Sequence, residues 1–203
     1  YAVVQENVAT SAGPTAPMPQ PPIPHPTLAT PRLRLRPFRA GDTDAMHECY
    51  ADPGAMRFWN HGPHATRHET ARELRRCATA TPSRHRFWAV ADAASDRCLG
   101  MVNYHNANPH SRTADIGYLI HPAYHRQGIA TESVAALLDF CFAVRDLRRI
   151  RAFIDPDNTA SRSLAEKLGF RCQPPQRENL RVDSHWRDDM LYARLKTGHA
   201  RPS

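Results

Sequence analysis

Between Ile120 and Glu132 the chain reads Ile-His-Pro-Ala-Tyr-His-Arg-Gln-Gly-Ile-Ala-Thr-Glu: a strand end, a glycine turn and the start of a long helix. The first amides of a helix have no acceptor inside it, and the helix dipole leaves partial positive charge at the same place. Such a turn suits an anion, a phosphate above all. Gly128 and Ala130 keep side-chain bulk away from the backbone, and Arg126 supplies a cation for charge-assisted hydrogen bonding. The segment lacks Gly-x-Gly-x-x-Gly and a Gly-Lys-Ser/Thr ending, which argues against a dinucleotide or P-loop site. Taken alone, a glycine at a strand–helix junction can also be a turn and nothing more.

Two histidine sets have spacings that could bind a metal: His61-x-x-His64 with His68, and His121 with His125. No carboxylate or cysteine is placed to complete either set, so no metal is expected. Cys49, Cys77, Cys98, Cys141 and Cys172 are odd in number and never form Cys-x-x-Cys. They read as reduced, mostly buried thiols rather than a disulfide framework or zinc site.

The elements that must position the loop can be read from periodicity. Leu33 and Leu35 alternate with Arg32, Arg34 and Arg36, a first strand with an arginine face turned to solvent. Asp42 is placed to cap a helix burying Ala45, Met46, Cys49 and Tyr50, which Pro53-Gly54 ends. Thr66-x-x-Glu69 is a capping box opening a second helix with Leu74 and Cys77 inward. Phe87–Asp92, Leu99–His105 and Thr113–Ile120 form an antiparallel meander leading into the glycine turn. The helix after the turn carries Val134, Leu137, Leu138, Cys141 and Phe142 on one face. A buried strand at Ile150–Ile154 follows, then a helix capped at Asp157-Asn158, running through Leu164 and Leu168 and stopped by Gly169. Met190–Leu195 is the last strand, with one more expected within 170–182. This order, β-α-α-β-β-β-α-β-α-β, predicts a mixed α/β fold with helices on both faces of the sheet.

At 203 residues, with 41% hydrophobic and 23% charged residues, the chain suits one ordinary globular domain. No run approaches the ~18–20 apolar residues of a membrane span. The opening residues lack the basic and apolar regions of a signal peptide, so a cytoplasmic protein is expected. Residues 1–27 are proline-rich and read as an extended arm, with Met18 a candidate natural start; 28–196 form the domain and 197–203 a tail. The net charge of +7 comes from scattered arginines, which points to a solvated face rather than a nucleic-acid groove.

The 120–132 segment resembles the coenzyme-A loop of the GNAT N-acetyltransferases, Gln/Arg-x-x-Gly-x-Gly/Ala, with His125 in the first position and Gly128 and Ala130 matching. The rest of the chain, about 28–195, is similar to the RimJ/RimL branch, the ribosomal-protein N-terminal acetyltransferase-like one. The matching pieces are Thr30-Pro31-Arg32-Leu33-Arg34-Leu35-Arg36, Asp52-Pro53 with Phe58-Trp59, Asp115-Ile116-Gly117-Tyr118, Asn158-Thr159-Ala160-Ser161 and Glu166-Lys167-Leu168-Gly169-Phe170. The resemblance implies a mostly antiparallel sheet of about six or seven strands with about four helices. That sheet splays between the strand ending at Leu119-Ile120 and the strand at Ile150–Ile154 to admit pantetheine.

It implies further that His125, Arg126, Gln127, Gly128, Ile129 and Ala130 hold the diphosphate of acetyl-CoA. Asn158 and Ser161 would face pantetheine and the thioester, although Asn158 is also a good helix cap. A tyrosine that many family members use as acid is replaced by Ala165, and in this branch Ser161 takes that role. Asp115 and Glu178 are the candidate bases, each also readable as a surface carboxylate. Phe58, Trp59, Tyr104 and Trp186 are candidate walls of an acceptor pocket, or core aromatics. The implied reaction is acetyl transfer to a primary amine, a protein N-terminal α-amine first. A small amine (antibiotic, polyamine or amino acid) is the alternative, and a non-catalytic CoA-binding domain the second, suggested by His125 and Ala165. A monomer or homodimer is expected.

Overall fold

The computed structural model of the protein describes residues 25–174, 180–182, 185–187 and 189–196. In chain order its elements are β1 (Leu28–Ala29), β2 (Leu33–Arg36), α1 (Thr43–Tyr50), α2 (Pro53–Met56), α3 (Arg67–Ala78), β3 (Arg86–Asp92), β4 (Cys98–Asn108) and β5 (Thr113–Ile120). Then follow α4 (Ile129–Asp139), β6 (Arg149–Ile154), α5 (Thr159–Lys167), β7 (Arg171–Cys172), β8 (Leu180–Val182), β9 (His185–Arg187) and β10 (Met190–Leu195). Eight strands form one sheet in the order β1-β2-β3-β4-β5-β6-β10-β7, and β8-β9 form a separate hairpin. Neighbours in the large sheet run antiparallel except β5 and β6. The expected mixed architecture stands. The sheet is larger than six or seven strands because the two-residue pieces β1 and β7 extend its edges.

Each face of the sheet carries its own core. On one face Val134, Leu137 and Leu138 of α4 are fully buried against Val102, Ile116 and Ile150. Burial of a side chain of this size contributes roughly 1.5–3 kcal/mol, so this one helix face anchors the loop before it. On the other face Met46, Cys49 and Tyr50 of α1 and Leu74 of α3 pack on Ala89, Met101 and Leu119. Strand β5 serves both cores because alternate residues, Ile116 and Ile120 against Leu119, point to opposite faces. Gly100 of β4 sits beside the end of β5 at φ +150, and a Cβ there would lie 2.3 Å from the Leu119 carbonyl oxygen. Only glycine permits that approach.

The capping box at Thr66 forms as expected, with Glu69 N–H donating to the Thr66 hydroxyl at 3.3 Å. Three local expectations are corrected. Pro53 does not end the first helix; it opens the one-turn α2, whose amide Ala55 N–H donates to Asp52 Oδ1 at 2.6 Å. Asp42 precedes α1 without capping it, because its carboxylate is taken by Arg36 at 2.8 and 2.9 Å. Arg36 is therefore not on a solvated face: it is 3% exposed and also donates to Asp96 at 2.8 Å. Four cysteine thiols (Cys49, Cys77, Cys98 and Cys141) are buried, and burial pushes each up to about 12; Cys172 is exposed.

Candidate active site

The parallel strands β5 and β6 pair only through Thr113–Asp115 and Arg149–Arg151. Beyond that point they share no register, and a cleft of about 670 Å³ opens along Ile116–Ile120 on one side and Ala152–Ile154 on the other. This volume is in the range of small-molecule and cofactor sites. A cleft edged by strand backbone can accept an extended ligand as an added strand, using amides and carbonyls the sheet leaves unpaired.

The turn into α4 closes one end of the cleft. Arg126 (φ +60) and Gly128 (φ +78) both adopt left-handed backbone, a pattern that gathers successive amides around an anion. For a non-glycine residue such as Arg126 this conformation costs about 1–2 kcal/mol. Gly128 is the N-cap of α4 and offers no side chain, so no side chain caps this helix. The amides of its first turn keep their capacity for a ligand. His125 Nε2 donates to the Ile120 carbonyl at 2.8 Å, tying the loop to the strand end. His125, Arg126, Gly128, Ile129 and Ala130 all line the cleft, as do Leu119 and Ile120. Gln127 does not: its side chain turns back to donate to the Ala123 carbonyl at 3.1 Å.

The opposite wall comes from α5. Asn158 caps that helix, its Oδ1 accepting from Ser161 N–H at 3.1 Å, and both residues also face the cleft. Ala165 is buried in the core and presents no donor. Tyr118 was not singled out from the sequence. It lies in the cleft floor, its hydroxyl 3.5 Å from the Ser161 carbonyl, and burial raises its phenol above the usual value. A tyrosine at an inward β5 position looks like core until the strands are seen to part. Phe58 and Trp59, just after α2, complete the wall with Gly54 and Ala55.

Other expected site residues lie elsewhere. Asp115 is buried at the closed end of the β5–β6 pair, accepting from Arg151 Nε at 2.6 Å and Asn106 Nδ2 at 3.0 Å. It does not line the cleft. Tyr104 is wholly buried between Trp88 and the core, its hydroxyl donating to the Pro82 carbonyl. Both point inward because their strand positions face the sheet's packed neighbours. Glu178 lies outside the described residues, and Trp186 is described only as a β9 backbone position paired with Arg181. His61 and His64 stack on Tyr50, and His121 pairs with Glu48. Among the described residues no group of three His, Cys, Asp or Glu is placed to hold a metal, and no helix is long and apolar enough to cross a membrane.

Residues 32–171 match the family model described as an acetyltransferase (GNAT) domain. The chain belongs to the GNAT acetyltransferases. It is 32% identical over 109 residues to the probable N-acetyltransferase YjcK of Bacillus subtilis (strain 168), a match covering 53% of this chain and 60% of that protein. It is 27% identical over 100 residues to the ribosomal-protein-serine acetyltransferase of Escherichia coli (strain K12), 49% of this chain and 56% of that one. The matched segment thus spans little more than half the length of these two relatives. Among solved structures, spermidine N-acetyltransferase from Vibrio cholerae in complex with CoA and spermine shares the fold. Its TM-score is 0.68 at 23% identity, covering 80% of this chain and 95% of that one. As a GNAT acetyltransferase the protein is an acyltransferase, and enzymes of this family use acetyl-CoA.

Proposed function

We propose that the protein transfers the acetyl group of acetyl-CoA directly to the α-amine of a protein N-terminus. The observation that carries this reading is the charge of the cleft. Among its described lining residues Asp155 is the single carboxylate, against Arg126 and Lys167, with aromatic Phe58 and Trp59 at the far wall. A polyamine acceptor, such as the one the Vibrio cholerae neighbour takes, calls for several carboxylates. A peptide N-terminus brings one amine on a neutral backbone.

The same reading explains the scarcity of bases. With Asp115 committed to Arg151, Asp155 is the one carboxylate left among the described lining residues of the cleft. An α-amine has pKa about 7.7–8.0 against about 10.4 for lysine, so its free base is several hundredfold more abundant at neutral pH. Water suffices to remove its proton after attack. In the transfer the amine nitrogen bonds to the thioester carbonyl carbon and the tetrahedral adduct forms. It then collapses by breaking the C–S bond, and the sulfur leaves as a thiolate that takes up a proton. In this reading the Ser161 hydroxyl, with Tyr118 beside it, donates a hydrogen bond to that sulfur. The amides of Arg126 to Ala130 hold the diphosphate.

The test is thiol release from acetyl-CoA with a panel of ribosomal-protein N-terminal peptides, spermidine, lysine and an aminoglycoside. Turnover confined to free-N-terminus peptides, with the product acetylated at the α-nitrogen, supports the proposal. Turnover with spermidine but no peptide would replace it with the polyamine reading. Tight CoA binding without transfer to any acceptor would leave a silent CoA-binding domain.

A further inference from the structure

The connection between β1 and β2 reaches across to the loop. Thr30, just before β2, donates from its hydroxyl to Glu132 Oε1 at 2.5 Å, and Arg32 N–H donates to the same oxygen at 3.0 Å. Arg32 Nε donates to Glu132 Oε2 at 2.7 Å, and Arg32 Nη1 to the Gln127 carbonyl at 3.0 Å. Its remaining Nη2 lies over Gly128, 3.3 Å from where a Cβ would stand. One guanidinium therefore ties the Gln127 carbonyl of the glycine turn and the Glu132 side chain in the first turn of α4 to the β1–β2 connection, about 100 residues away in the chain.

From this we infer that Arg32 and Glu132 act as a clamp that presets the turn for the diphosphate of the acyl carrier, an inference that rests on the acetyl-CoA reading above. Two physical reasons support it. The turn holds Arg126 and Gly128 in left-handed backbone, which a free loop would leave for other conformations. Fixing it beforehand removes an ordering cost that binding would otherwise meet. Glu132, in the first turn of α4, is favoured by its own helix dipole, yet a bare carboxylate there repels an incoming diphosphate. Three donors on its two oxygens quench that charge. Arg32 is a positioning residue: it acts on the ligand through the turn.

The experiment compares two ligands that differ in the diphosphate. Wild type, Arg32→Gln, Arg32→Lys, Glu132→Gln and the Arg32→Gln/Glu132→Gln double variant are titrated with CoA by calorimetry and with pantetheine by NMR. A clamp predicts that each single variant weakens CoA roughly tenfold, the worth of one charge-assisted hydrogen bond. It predicts a several-fold smaller loss for pantetheine, and a double variant no worse than either single. Arg32→Lys should behave like Arg32→Gln, because an ammonium keeps the charge but cannot span Glu132 and the Gln127 carbonyl together. Equal loss of both ligands, full rescue by lysine, or variants that bind CoA as wild type does would each overturn the clamp while wild-type binding leaves the carrier reading intact. A wild-type chain that holds no CoA would instead overturn the carrier reading, and the clamp with it.

Discussion

The two ends of the β5–β6 pair are built from the same strands and do opposite things. At the closed end Thr113–Asp115 pair with Arg149–Arg151, and the Asp115–Arg151 ion pair sits over the junction. At the open end no ladder forms, and the backbone of Ile116–Ile120 and Ala152–Ile154 edges a cleft. Charge at the closed end is satisfied within the chain, so it contributes to holding the sheet together. Polar groups at the open end are left for a ligand. A parallel pair that parts midway therefore separates stability from binding along one strand, and substitutions at the two ends should have distinct signatures.

The largest expected effect is at the closed end. Arg151→Met strands the Asp115 carboxylate, which is 3% exposed. Stability should fall by about 3 kcal/mol in urea unfolding, with acetyl-CoA affinity of the folded fraction little changed. A parallel loss of affinity would show that the two ends are not separable. Next comes Gly128→Val at the open end. A branched side chain at φ +78 is strained, and it would press on Arg32 and cover the loop amides. Calorimetry should show acetyl-CoA binding weakened by about tenfold or more, as for loss of one or two amide contacts. Native-like binding would remove the loop from the site.

Ser161→Ala should lower kcat about tenfold with cofactor affinity nearly unchanged, the worth of one hydrogen bond made in the transition state. Unchanged turnover would remove Ser161 from the chemistry and leave Tyr118 as the donor. The smallest effect concerns pH. Burial opposes ionisation of Glu132, but hydrogen bonds from Thr30 and Arg32 outweigh it and hold the carboxyl below its ordinary 4.5. A depressed folded value means the clamp's contribution is full above the unfolded value and is lost as pH falls through the folded one. CoA affinity should therefore decline in that acid range in wild type, and Glu132→Gln should flatten the decline.

Much of this was legible locally. The apolar spacing of α4, the capping box at Thr66, the cap at Asn158 and the glycine at 128 are all read within windows of a few residues. Helix periodicity and turn chemistry act over that range. The same short windows misread Asp42, whose local role as a cap lost to a buried arginine on a neighbouring strand. Likewise Pro53, which reads locally as a helix stop, stands at the first position of α2 instead.

By itself the sequence determined the order of the main elements, the glycine turn before α4 and the resemblance to the GNAT acetyltransferases. Only the tertiary structure decided which residues those features share. It turned Asp115 and Tyr104 away from the cleft, brought Tyr118 into it and laid Arg32 over Gly128. The reason is that a strand's alternation fixes two faces but not what lies against each. What a side chain meets there depends on neighbours 36 residues away for Asp115 and Arg151, and 100 away for Arg32 and Glu132.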